Sequence, residues 1–230
     1  MKTTFQDRLI AATAADRDYL LAAPVIGRAL AGRISHAEYL AFLAQAWHHV
    51  RHTVPLLMAT GARLPDRHAA LRTDLVHYLE EETGHDDWIL NDIEAAGGDR
   101  AAVAASLPHV TTDAMVGYAW DTVQRRNPVG FFGMVHVLEG TSVALAVRAA
   151  DRIEQSLGLP RSAFTYLRSH GTLDLEHVEH LGGILARLTD PDDQAAVIQC
   201  ARAMFHLYGN VFRGLDEHLP ASSGCSREVA

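Results

Sequence analysis

Apolar side chains return every three or four residues along almost the whole chain, and no β-branched run alternates in the manner of a strand. Such a return is the mark of helices that bury one stripe against a core. It predicts a first helix from about Thr4 to Ala22 and a short one after Pro24. Ser35, with Glu38 three residues later, reads as a capping box. The helix it opens runs through Tyr39, Leu43, Trp47 and Val50, and Pro55 kinks or ends it. A long helix follows from Pro65-Asp66 to Gly97-Gly98, where the glycines signal a C-terminus. Thr112-Asp113 opens the next, which stops before Asn127-Pro128. Pro128 then starts a strongly apolar helix, and a loop at Gly158-Leu159-Pro160 leads to a His-rich helix ending at Leu188. Asp190-Pro191 caps a final helix to about Leu219.

No internal repeat or long linker interrupts this pattern. The expectation is an all-α domain over 1–219, a bundle of about seven to eight helices, with a Ser/Gly-rich disordered tail over 220–230.

Composition sharpens the picture at a few points. The 230 residues, 48% hydrophobic and 21% charged, suffice for a real core. A net charge of -8 argues against a nucleic-acid partner. Cys200 and Cys225 stand far apart without a CxxC, which excludes a disulfide framework or zinc ribbon and suits a reducing cytoplasm. The N-terminus lacks the apolar core of a secretory signal. The stretch from Pro128 to Val147 approaches membrane-span length, but His136, Glu139 and three glycines make it a buried helix of a soluble protein, so no membrane is expected. A homodimer is the default expectation for such a helical protein.

The 14 histidines are many, and they are dispersed, which first hints at metal chemistry. Within His77-Tyr-Leu-Glu-Glu-Glu82-Thr-Gly-His85, Glu82 and His85 stand one helical turn apart and leave one face of a continuous helix. Taken alone, that pair is more often a solvated acidic face with an incidental histidine. Glu139 is the only carboxylate between Pro128 and Val147. Burying it unpaired would cost several kcal/mol, so a cation should face it: a buried arginine or a metal, equally well. His136, one turn away, is a substitute or supporting donor. In His170-Gly-Thr-Leu-Asp174-Leu-Glu-His177, the three named residues fall within about 60° of arc on one helix face. Three convergent donors rarely arise from core packing, and His180 and Glu179 extend the neighbourhood. Three carboxylates and three imidazoles suit two iron(II) ions better than structural zinc or magnesium.

With these residues in view, the sequence resembles the heme-oxygenase-like diiron oxidases and oxygenases, which share the helical fold of heme oxygenase, thiaminase II and pyrroloquinoline-quinone synthase. The likeness rests on Glu82-Thr-Gly-His85-Asp-Asp-Trp88, the lone Glu139, and the run of His170, Asp174 and His177. It implies that Glu82, His85, Glu139, His170, Asp174 and His177 ligate two irons, the second of them labile, with Glu81 the alternative to Glu82. It further implies a small-molecule substrate, such as a fatty or amino acid, attacked by a peroxo species made from O2 and diiron(II), with an external electron donor possible. Pocket-wall candidates are Phe42, Gln45, Trp47, His48, His49, Arg51, Phe205, His206, Tyr208 and Arg213, with Arg51 as a holder of a substrate carboxylate. Competing readings are a metal-independent enzyme like thiaminase II, which would want a pocket cysteine, a quinone-synthase-like enzyme, a ferritin-like iron protein, and heme oxygenase itself.

Overall fold

The expected His-rich, Glu139-bearing and C-terminal helices appear as three long helices at the centre of the protein, the Glu139-bearing helix antiparallel to the His-rich one and parallel to the C-terminal one. They are α10 (Phe131–Leu157), α11 (Thr165–Arg187) and α12 (Pro191–Gly214), and α10 packs along both of the others. The computed structural model describes residues 3–215, and for residues 171–176 the backbone alone. The expected tail, the last turns of the final helix, Cys225 and the side chain of Asp174 therefore lie outside the described residues.

Around this centre stand α1 (Phe5–Ala12), α2 (Ala14–Leu21), α3 (Pro24–Leu30), α4 (His36–Val50), α5 (Thr53–Arg63), α6 (Ala69–Glu82), α7 (His85–Ala95), α8 (Arg100–Ala105) and α9 (Val110–Arg125). The described residues thus form twelve α-helices and no strand, more helices than the seven to eight expected. The surplus comes from breaks that apolar periodicity does not register. The predicted Thr4–Ala22 helix divides at Thr13, whose buried hydroxyl hydrogen-bonds the Leu9 carbonyl at 2.8 Å. Pro55 does not end α4, which stops at Val50; it sits in the first turn of α5, where its missing N–H costs nothing. The predicted Pro65–Gly98 helix divides at Thr83-Gly84. The short α8, capped by Asp99 through the Ala101 and Ala102 amides, was not foreseen.

Other local signals hold. Ser35 and Glu38 form the capping box of α4, and Asp190 caps α12 through the Asp192 amide at 2.9 Å. The segment Pro128–Leu157 is long and apolar enough to cross a membrane by length and composition, but most of its apolar window is buried between α11, α12 and α9. One residue sets how closely α10 approaches α12. A Cβ at Gly133 would lie 2.4 Å from the Val197 carbonyl oxygen and 2.8 Å from the Ala201 nitrogen, both main chain.

Gly133→Ala must therefore push α10 off α12, at a cost of about 1–3 kcal/mol. The expected result is a melting temperature lower by roughly 2–4 °C per kcal/mol. Gly117→Ala, exposed in α9 with open space around its Cβ position, should leave stability unchanged or raise it by up to about 1 kcal/mol.

Candidate metal centre

Glu82 and His85 do meet, but not for the reason their spacing suggests. Glu82 is the last residue of α6 and His85 the first of α7, with Gly84 between them in the left-handed region at φ 92°. A residue with a Cβ is disfavoured there, and the turn swings His85 back toward the carboxylate it has just passed. The His85 Nδ1 comes within 3.1 Å of Glu82 Oε2, and both side chains are nearly closed to solvent.

The other donors arrive from the central helices. Ligand-type atoms of Glu82, His85 and His170 all lie within 4.8 Å of one another. His177 Nδ1 lies 3.6 Å from Glu139 Oε1 and 3.9 Å from Glu82 Oε1. Glu82 thus presents one oxygen to His85 and the other to His177, and divides the donors into two groups around itself. Of the six sequence candidates the structure brings five together: Glu82, His85, Glu139, His170 and His177. Asp174 occupies the α11 backbone between the two histidines, its side chain outside the described residues.

The electrostatics follow from burial. Removal from water by itself would raise the Glu82 carboxyl; the hydrogen bond from His85 and the charges of His170, His85 and His177 outweigh it and hold that group below the usual carboxylate range. The His170 Nδ1–H donates to the Tyr166 carbonyl at 3.0 Å, which leaves Nε2 to carry the lone pair a cation would use. Asp92, buried on α7, accepts the Thr165 and Tyr166 amides at 3.0 and 2.8 Å. It caps α11 and so ties the helix of His85 to the helix of His170.

Two cavities flank the cluster, of about 90 and 80 Å³, each several times the 10–15 Å³ that one water needs. The larger is lined almost wholly by apolar groups of α3, α4, α10 and α12; the smaller reaches Glu82, Glu139 and His49. They share Ser142, Tyr166, His170 and Tyr208, so they adjoin at the His170 ring. Ser142 Oγ is shielded from solvent and has no hydrogen-bond partner among the described residues.

Several candidates serve elsewhere. Phe42, His49 and Tyr208 line the cavities. Arg51 is exposed, its guanidinium 4.6 Å over the Trp47 ring, so it lines neither cavity and does not wait for a substrate carboxylate there. Gln45 binds His109 and Thr112, His48 binds Ser106, and His206 pairs with Asp16. Arg213 stacks on Tyr19, and Phe205 packs edge-on against His136, turned from the centre. Cys200 is buried in α12 beside Thr122 and Met134, its thiol pushed up to about 12 by burial, and it lines neither cavity. Tyr166 and Ser142 also line both cavities, though neither is among the sequence candidates. Tyr166 stands one turn before His170, a spacing that offered a signal; Ser142 offered none without the fold.

The family described as iron-containing redox enzymes matches residues 40–209 of this chain. Among solved structures, the chain is similar to a domain of unknown function with a heme oxygenase-like fold from Shewanella denitrificans OS217, with TM-score 0.84, 22% identity and 98% of each chain covered. It is also similar to a TenA homolog from Pseudomonas syringae pv. tomato, with TM-score 0.80, 13% identity and 93% of each chain covered. A CADD-like protein of unknown function from Nostoc punctiforme aligns with TM-score 0.68 and 17% identity over 91% of this chain and 97% of its own. These likenesses show a heme oxygenase-like fold. No curated protein sequence matches the chain.

Burial, with the Arg17 charge adding to it, pushes the His136 imidazole from 6.5 down to about 4. The unfolded chain accepts this proton below about pH 6.5 and the folded chain refuses it, so the stability is intact above that pH and is lost as pH falls toward 4. His136→Phe should therefore lose about 1–2 kcal/mol less than the parent between pH 7 and pH 5 in urea unfolding.

Proposed function

The chain belongs to the iron-containing redox enzyme family, and from that premise we propose that it is an O2-dependent oxidoreductase holding two iron ions and acting on a small organic substrate. The observation that carries this reading is the division of donors around Glu82, one oxygen toward His85 and the other toward His177. A carboxylate with a donor group on each side would suit two cations better than one. The donor chemistry fits iron: hard carboxylate oxygens and imidazole nitrogens, without thiolate.

In this reading Glu82 and the two groups beside it, His85 with His170 and His177 with Glu139, would hold the two ions, and Asp174 would be the sixth donor on sequence spacing. Bound iron supplies the electrons and the oxygen-activating chemistry. The protein's own part is to hold and exclude. The apolar walls given by Ile26, Phe42, Leu145, Ala146 and Ala149 receive the hydrophobic body of a substrate and keep water from it. Ser142 Oγ, at the junction of the cavities, is placed to hydrogen-bond a polar group near the reacting end. A thiaminase-like reading finds less support, since the described cysteine lies outside both cavities with its thiol held protonated.

Anaerobic reconstitution should load about two irons per chain. His177→Ala and Glu139→Gln should each lose most of the second ion, while Glu179→Gln, exposed on α11, should lose none. Equal losses in all three would refute the assignment, and a loaded protein that consumes no O2 in a single-turnover experiment would refute oxygen chemistry. Ala149→Phe, which fills the larger cavity, should keep full iron occupancy yet lose turnover by about tenfold or more once a substrate is found.

A further inference from the structure

Behind His177, on the side away from His85, a second row of donor side chains runs out to the surface. On α6, Asp74, His77 and Glu81 recur at helical spacing, and on α11 His177 and His180 stand one turn apart and face them. Glu81 lies between the two helices. Its Oε2 is 2.8 Å from His177 Nε2 and its Oε1 is 3.4 Å from His77 Nε2. The His77 and His180 rings sit 5.1 Å apart, centre to centre, and Tyr78 packs against both His180 and His177 at 5.3 and 5.5 Å. Asp74, 14% exposed and held by Arg187, flanks the row, with His180 Nε2 at 3.8 Å.

Exposure falls from His77 through Glu81 and His180 to His177. The side chains are 52% exposed at His77, 30% at Glu81, 29% at His180 and 3% at His177. A divalent cation moving from water into an apolar interior must exchange hydration for protein donors step by step, because bare transfer is prohibitively costly. A row of imidazole and carboxylate groups with falling exposure offers such an exchange. Glu81, with an oxygen on each neighbour, spans the step from the surface histidine to the buried one.

We propose that His77, Glu81 and His180, at the α6/α11 seam, form an uptake site through which a divalent metal ion passes to His177 and Glu139. This rests on the reading of the buried cluster as a metal centre. The surface residues bind the ion transiently and hold none of it at equilibrium, so they set the rate of loading and leave its extent alone.

The experiment is stopped-flow mixing of the metal-free protein with cobalt(II), followed by its visible absorption, with bound metal counted after equilibration. For His77→Ala/His180→Ala the expected loading rate falls about tenfold while the final count equals that of the parent protein. His206→Ala, which removes a similarly exposed imidazole of α12 that pairs with Asp16 of α2, should load at the parent rate. The single variant His77→Gln, which keeps a polar side chain at a half-exposed position, should show part of the same slowing. An unchanged rate in the double variant overturns the uptake site and leaves the centre standing. A reduced final count also overturns it, because the histidines would then be permanent ligands. A parent protein that takes up no metal overturns the centre itself.

Discussion

Two carboxylates and three imidazoles share one volume of this interior, and that fact constrains everything built around them. A lone carboxylate in an apolar core costs several kcal/mol or takes up a proton. Here each is set against an imidazole: Glu82 against His85 and His177, and Glu139 against His177. The same imidazoles hold Glu82 in its charged form against the effect of burial. An interior so arranged holds negative charge and imidazole nitrogens in one place, and a cation could take the place of the protons that now sit between them.

Holding such a set together demands rigidity in the backbone, and the fold supplies it by polar ties rather than by packing alone. Asp92 on α7 seizes the first amides of α11, so the helix bearing His85 and the helix bearing His170 and His177 cannot slide independently. Gly133 lets α10 lie against the α12 main chain, which fixes the axial position of the helix that carries Glu139. The break at Gly84 then delivers His85 to Glu82. Each tie acts on a different helix.

The polar cluster and the apolar cavity are complementary halves of one proposed reaction chamber, joined at His170. The ring lines the cavity and belongs to the donor group, so a substrate held in the cavity would lie against it. The residues of the α6/α11 seam, His77, Glu81 and His180, line neither cavity.

The all-helical class, the capped starts of α4 and α12 and the identity of the converging residues were all legible in the chain, because they depend on short spacings and on residue chemistry. Helical periodicity put His170 and His177 on one face of α11, and burial of an otherwise apolar helix singled out Glu139. The same periodicity misjudged Glu82 and His85, since it treats α6 and α7 as one helix and cannot see that Gly84 adopts a positive φ. It also could not choose a role for Glu81 against Glu82, or tell that Arg51 turns outward while Ser142 turns in. The donors present, and roughly how each helix offers them, follow from local residue chemistry and helical spacing. Which of them meet depends on the angle at a chain break and the distance between packed helices, and both arise from contacts between residues far apart in the chain.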